Sequence, residues 1–364
     1  MTLTRSDDHA RSTARLGGVR VASVDASRHT MPADRLLRYL EIKVHHAIQR
    51  RRWRRIDVVG AYDRSCAVSE LEKDDKQFNH ERPTAAHSGD SLELRCFPGR
   101  DYVHHYGLVV ATYLEMTGTR DTEVRVHLPG EATMRRALEQ LRLDLSVTEL
   151  VVVGWGLDAF TDRAGWVSGP GFASKQDRLG GVPVTYLGFA HSIWGDVAGR
   201  VVQRLAELGA TRVVYVGKVG GLDPAVEPNT TLATGSRSLL GAELVEWRDF
   251  FGGTLGDVDG VIEGLHVSSP SILLEDVDWL ADQPREASFV DPEIGWMGRA
   301  AADADIEFGY LHVISNNLAL PFDQDLSNER GADVVARRRR LTGHIRELVA
   351  ARLSGGSAAS PALG

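Results

Sequence analysis

The chain has 364 residues, is 43% apolar and 25% charged, and carries a formal net charge of −8. It can therefore build a substantial core, and its acidic balance argues against a general nucleic-acid or membrane-surface binder. Two cysteines, Cys66 and Cys96, are too few for a disulfide framework or a cysteine metal site.

Residues 1–32 read as a loose arm, and "MTLTRSDDHARSTARLGG" lacks the apolar centre of a signal peptide. No stretch approaches the ~20 consecutive apolar residues that span a bilayer, so a cytoplasmic protein is expected. An N-terminal α/β segment is expected over 33–146. It opens with "PADRLLRYLEIKVHHAIQRRRWRR", whose Leu36, Leu37, Leu40, Val44 and Ile48 share the face of one helix. The arginines that close it suit a helix C-terminus. Strands are predicted at 56–62 and 91–97, with the polar stretch 71–90 between them as a surface loop. Strand 123–129, helix 131–145 and strand 148–156 alternate, which predicts α/β architecture with some parallel pairing.

After Gly156 a glycine-rich loop leads to a strand at 182–190, an amphipathic helix at 195–210 and a strand at 213–217 that ends in a glycine turn. Further strands are predicted at 230–234 and 309–315, and helices at 291–304 and 329–353. The tail 354–364, "SGGSAASPALG", has a disordered composition. Two glycine motifs carry little. "GWGLDAF" is a dinucleotide fingerprint only if a helix begins there, and residues 161–181 read as loop. "GKVGG" lacks the upstream glycine and the Ser/Thr of a phosphate-binding P-loop. The adjacent pairs His45–His46 and His104–His105 have no ligand spacing for a metal.

"YVGKVGGLDPAVEPNTTLATG" (215–235) resembles the strand and glycine turn of the nucleoside phosphorylase superfamily, the purine nucleoside phosphorylase and nucleosidase type. In the same order, "VVVGWGLDAF" resembles that family's first strand. "GFAHSIWG" resembles its "G-R-x-H-x-x-x-G" segment, and "FVDPEIGWMGRAAADADIEFGYLHVISNNLA" its sugar-binding helix and base-binding strand. The likeness covers roughly 147–353. It implies a mixed central sheet flanked by helices, and cleavage of the N-glycosidic bond of a purine-type nucleoside by phosphate or water.

The resemblance also implies roles. Glu293 would hold the sugar hydroxyls through its carboxylate, with Pro292 in the sugar wall where the family has Met. Asn316 would hydrogen-bond the departing base, although Asn317 beside it leaves the register open. His191 and Lys218 would serve the nucleophile's side, and Gly154, Gly217, Gly220 and Gly221 would let the backbone approach the ligand. The family's phosphate-binding arginines are replaced by Phe189 and Tyr215. Lys218 then has four readings: it compensates for those arginines, binds an anion on the substrate, forms an imine, or snorkels outward. No resident cofactor is implied, and inorganic phosphate would be a co-substrate. A small nucleoside-like substrate, no nucleic-acid or membrane partner, and a homo-oligomer are expected. Two other functions stand beside this one: a recruited reaction on a nucleoside- or sugar-derived substrate, and a non-catalytic nucleoside-binding module.

Overall fold

The computed structural model describes residues 18–73, 76–140, 143, 146–162 and 164–355. The expected arm over 1–17, most of the expected tail, and positions 141–142 and 144–145 of the expected helix lie outside them.

Two sheets organise the chain. The first contains β1 (Val19–Arg20), β2 (Arg55–Gly60), β3 (Thr84–Ser88), β4 (Ser91–Cys96) and β5 (Glu123–His127), in the order β1-β5-β2-β4-β3. Its centre is parallel, because β2 pairs in parallel with both β4 and β5. Helices α1 (Ala33–Glu41), α2 (His46–Arg50) and α3 (Arg100–Met116) accompany it, and α4 (Glu131–Gln140) comes next in the chain.

The second sheet has twelve strands. They are β6 (Leu150–Gly154), β7 (Val167–Gly169), β8 (Phe172–Leu179), β9 (Val182–Phe189), β10 (Arg212–Gly221) and β11 (Leu232–Thr234), then β12 (Arg237–Leu240), β13 (Glu243–Glu246), β14 (Val261–Glu263), β15 (Leu265–Ser268), β16 (Ala287–Asp291) and β17 (Glu307–Asn317). Helices α5 (Asp196–Glu207), α6 (Val277–Ala281), α7 (Ile294–Asp303) and α8 (Ala332–Leu353) complete the fold. It is a mixed α/β architecture with helices flanking a central sheet. None of the described helices is long and apolar enough to cross a membrane.

The core strands β9, β6, β10 and β17 run parallel in that order. Such strands are covered on both faces and read as unbroken apolar runs. Leu150, Val151, Val152 and Val153 of β6 accordingly have no exposed surface. Each such side chain contributes about 1.5–3 kcal/mol relative to leaving it in water. Helix α5 buries Val197, Val201, Val202 and Leu205. It approaches α7 closely, since a Cβ at Gly199 would stand 2.7 Å from the Trp296 carbonyl oxygen.

The structure corrects the sequence reading in several places. The predicted helix over 32–55 is two helices, broken at residues 42–45, and His45 caps the second by accepting the Ala47 N–H at 3.1 Å. The 71–90 stretch is not simply a surface loop. It contains β3, and Lys73 and Phe78 are buried. The loop expected before residue 182 forms the hairpin β7–β8, which pairs on to β9. Helix α3 is an addition to the predicted elements, because its apolar residues point all round and give no amphipathic period. It buries eleven of its seventeen residues.

The two sheets meet through paired helix N-termini. The Asp196 carboxylate at the start of α5 accepts the N–H groups of Arg100 and Asp101 at the start of α3, at 3.2 and 3.4 Å. Asp101 in turn accepts the Asp196 N–H at 3.1 Å and the Trp296 indole N–H at 3.0 Å. Each helix is capped by the other's aspartate, and each carboxylate faces a favourable dipole end.

Candidate functional site

Strand β10 has β17 along one whole edge, but its other edge changes partner. It pairs with β6 over Arg212–Val216 and with β16 only at Gly220–Gly221. Between these, at residues 217–219, that edge carries no ladder partner. The strand predicted to stop at Gly217 therefore runs on to Gly221. Ligands of open parallel sheets bind in crevices beyond the carboxyl ends of the strands, where neighbours diverge. A cavity of about 170 Å³ lies at this place. It is lined by the ends of β6 (Gly154, with Trp155), β9 (Phe189, with His191), β10 (Lys218, Gly220) and β17 (Ser315, Asn316). Asp291, Pro292 and Glu293 close one side, and Tyr39, Lys43, Lys73, Lys76 and Phe78 from the N-terminal part cover it.

One end of the cavity is cationic. Lys218 Nζ donates to Glu329 Oε2 at 2.7 Å, and Lys73 Nζ donates to Oε1 of the same carboxylate. Lys43 Nζ lies 3.7 Å from Oε1 and Arg338 Nη1 3.8 Å from Oε2. Lys76 and Lys218 both stand over the Trp155 ring, at 5.5 and 5.3 Å from its centre. One buried carboxylate thus serves four cations. Burial alone would raise the Glu329 pKa, but Lys218, Lys43, Lys73 and Lys76 outweigh it and hold the acid well below its ordinary value. The lysines are depressed chiefly by burial. Neighbouring cations add to that effect and Glu329 only partly offsets it, which brings Lys43 to about 8, Lys218 to about 7 and Lys73 to about 5. Lys218 is therefore neither outward-pointing nor inert in charge.

The other end is acidic. Asp291 Oδ1 accepts the N–H groups of Glu293 and Ile294, at 2.9 and 2.8 Å, and so caps α7. It also lies 3.0 Å from His266 Nε2, while His266 Nδ1 meets the Ser238 hydroxyl at 2.8 Å. His312 Nε2 is 3.7 Å from Asp291 Oδ2, and His312 Nδ1 accepts the Gly217 N–H at 3.1 Å. Burial, then the Asp291 charge, push Glu293 well above the ordinary carboxyl range. Burial acts the same way on Asp291, but His266, His312 and the capped N–H groups overcome it and hold it low. Two neighbouring carboxyl groups are thus pushed apart, Glu293 upward and Asp291 downward, which is the arrangement of an acid and a base. The shift favours the protonated form of Glu293, which donates as well as accepts.

The remaining predicted residues divide. Pro292, His191, Asn316, Gly154 and Gly220 line the cavity with Lys218 and Glu293. Gly217 and Gly221 do not. A Cβ at Gly217 would stand 2.6 Å from His312 Nε2, and one at Gly221 3.1 Å from the Ile314 side chain, so these glycines make room for β17. Packing distinguishes Asn316 from Asn317. Asn317 donates to the carbonyls of Asp223 and Val226, at 2.7 and 2.9 Å, and accepts the N–H groups of Ala319 and Leu320. Asn317 is committed to the loop, whereas Asn316 faces the cavity with its Oδ1 3.0 Å from the Ser315 hydroxyl. His191 stacks on Phe97 at 3.6 Å, its Nε2 is buried without a partner, and burial lowers its pKa to about 4. It is a neutral imidazole with one ring nitrogen to offer.

Sequence reasoning missed Lys43, Lys73, Lys76, Glu329 and Asp291. The signal for Asp291 was within "VDPE"; Lys73 and Lys76 lie in a stretch whose polarity hid them. Beyond Gly156 stands a three-residue 3₁₀ turn, Leu157–Ala159, and then the β7–β8 hairpin. The helix N-terminus that seats a dinucleotide pyrophosphate is not formed there.

No family model matches the chain. It is similar to the oxidoreductase cns1 of Cordyceps militaris, 26% identical over 262 residues, which is 64% of this chain and 33% of that protein. The chain thus spans about a third of the length of the curated relative it matches. Among solved structures it is similar to the 5′-methylthioadenosine/S-adenosylhomocysteine nucleosidase of Neisseria meningitidis, with 13% identity, TM-score 0.43, and 57% of this chain on 98% of that one. The futalosine hydrolase of Helicobacter pylori gives 12%, 0.43, 57% and 97%. The uridine phosphorylase of Vibrio fischeri gives 14%, 0.44, 57% and 90%.

Proposed function

We propose that this chain is an enzyme that cleaves the N-glycosidic bond of a purine-type nucleoside or a modified relative. One observation carries the reading. Glu293, Asn316, Lys218 and His191, singled out on sequence motifs far apart in the chain, line a single cavity at the carboxyl ends of parallel strands.

The two ends of that cavity supply the chemistry. As the bond between the anomeric carbon and the base nitrogen breaks, its electron pair moves to the base and positive charge gathers on the sugar. The Asn316 amide N–H donates to the base and stabilises that electron pair. Glu293 and Asp291 stand on the sugar side, where the ionised member offsets the positive charge and the protonated member donates to a hydroxyl. When water is the nucleophile, its oxygen bonds to the anomeric carbon and its proton passes to the Asp291–Glu293 pair. When phosphate is the nucleophile, Lys218, which lines the same cavity as that pair, supplies a cation to hold it. Residues of the N-terminal part close the cavity, so this reading needs no neighbouring subunit, and a homo-oligomer remains a separate proposal.

The deciding experiment incubates the protein with a panel of nucleosides, with and without phosphate, and identifies products by mass spectrometry. Free base with free sugar in both conditions establishes hydrolysis, and base with a sugar 1-phosphate only in phosphate establishes phosphorolysis. No base release from any compound, phosphorylated ones included, rejects the reading.

A further inference from the structure

We propose that the cationic end of the cavity binds a phosphoryl group that the substrate carries as a monoester, so that the substrate is nucleotide-like rather than a neutral nucleoside. The base and sugar of that substrate rest on the reading above; the phosphoryl half stands on the cation cluster alone.

Four cations, Lys43, Lys73, Lys218 and Arg338, share the single carboxylate of Glu329, which is almost wholly buried. Lys76 stands on the same cavity wall, over the Trp155 ring. Crowding these basic groups in a buried place holds protons off the lysines near neutrality, and a dianion with three strong acceptor oxygens draws those protons back. A phosphomonoester has that charge and that number of acceptors. A carboxylate brings half the charge and two acceptors.

The position of the cluster distinguishes an ester from a free nucleophile. Lys43, Lys73 and Lys218 all reach Glu329, and among the described residues none of them lies within ion-pair distance of Asp291 or Glu293. The cluster therefore gathers around Glu329, beyond ion-pair reach of the Asp291–Glu293 pair where the anomeric carbon reacts. A phosphate that attacks that carbon must stand beside the pair. A phosphate held through the sugar's far end stands off from it by the length of the sugar. Lys43 and Lys73 also come from the N-terminal segments that cover the cavity, and Trp155 carries Lys76 and Lys218 on its face. The N-terminal part thus has a chemical task, the recognition of the substrate's charged end.

The test is calorimetric titration of the full chain with adenosine and inosine, their 5′-monophosphates, ribose 5-phosphate and inorganic phosphate, each in two buffers of different ionisation enthalpy. The monophosphates are expected to bind at least about tenfold tighter than the nucleosides, with net proton uptake near pH 7.5. Lys43→Met and Lys73→Met are expected to remove most of that advantage while leaving nucleoside affinity within about twofold. Glu329→Gln is a second variant of opposite sign: it deletes the competing carboxylate and is expected to tighten monophosphate binding.

Equal affinity for nucleosides and monophosphates overturns the proposal, as does an equal loss for both in the lysine variants. Lysine-dependent binding of inorganic phosphate that strengthens nucleoside binding, with no preference for monophosphates, makes the source free phosphate and overturns the ester. Lysine-dependent binding of ribose 5-phosphate upholds the proposal even where no base is released, which separates its fate from that of the cleavage reading.

Discussion

Lys218 Nζ and Glu329 Oε2 are 2.7 Å apart inside the cavity, yet the pair joins β10 to the turn before α8, 111 residues further on. Two long side chains from distant segments are held together in a place mostly shielded from water, and a third, Lys73, completes the carboxylate's other oxygen. The fold has concentrated positive charge where the sheet opens.

That concentration has a pH signature. The Lys218 pKa falls from an ordinary 10.5 to about 7, so between these values the unfolded chain binds a proton that the folded chain lacks. Stability from this group is complete above pH 10.5 and is lost as pH falls through 7. Buried acids such as Glu275, pushed up to about 7 by burial, act in the opposite sense and blur the wild-type profile. The comparison is therefore between wild type and Lys218→Met. The variant is expected to gain on the wild type as pH falls from 8 to 6, by about 1 kcal/mol per unit at most. Urea midpoints across that range measure it, and parallel profiles for the two proteins would refute a depressed Lys218.

Glu293 and Asp291 should separate under conservative substitution. Burial and the Asp291 charge push Glu293 toward its protonated form, whose shape and neutrality Glu293→Gln preserves, so that variant is expected to cost under ~1 kcal/mol of stability. Turnover is expected to fall by about 10²–10³-fold, the usual loss for a group that acts in the transition state. Asp291→Ala instead removes the buried acceptor for two helix N–H groups at the start of α7, and is expected to cost about 2–4 kcal/mol. Denaturation and steady-state rates on both variants check this. A Glu293→Gln protein less stable than Asp291→Ala would show that the ionisation states are reversed.

Asn316 and Asn317 offer a paired test of register. Asn317→Ala breaks four hydrogen bonds, two to the loop carrying Asp223 and Val226 and two within its own turn, and is expected to cost about 1–3 kcal/mol. Asn316→Ala is expected to leave stability within ~0.5 kcal/mol and to lower turnover about 10–10³-fold. Thermal melts and product assays separate the two. Loss of activity confined to Asn317→Ala would move the base contact one residue along.

The C-terminal half of this architecture is far more legible in sequence than the site's cover. Leu150–Val153 and Val213–Val216 announce parallel core strands by unbroken apolar runs, and α5 announces itself by a helical period. Helix α3 is hidden for the opposite reason: packed between α1 and the first sheet, it is apolar on every side and leaves no period to detect. The glycines of 217–221 read as a turn because glycine is usually a turn residue. Here the strand continues, and the absent side chains accommodate His312, Leu318 and Ile314. Lys73 and Phe78 are obscured by a polar neighbourhood. A segment that lines a polar cavity has the composition of a surface loop, and only tertiary structure shows which water it faces.

The paired caps of α3 and α5 give the last prediction. Asp101 is raised to about 6, first by burial and then by the charge of Asp196. A raised acid contributes stability that is complete below its unfolded value near 3.8 and is lost as pH rises through 6. As Asp101 ionises it faces Asp196, whose own pKa burial also raises, across the junction of the two sheets. Asp101→Asn keeps an oxygen for the Asp196 and Trp296 N–H groups while removing one of those charges. It is expected to gain on the wild type by about 1–2 kcal/mol as pH rises from 5 to 7.5. Asp101→Ala removes the acceptor as well and is expected to lose about 1 kcal/mol at either pH relative to the asparagine variant. Urea unfolding at the two pH values reads both effects. If Asp101→Asn tracks the wild type without divergence, Asp101 is ionised throughout and the two caps carry no strain from their shared charge.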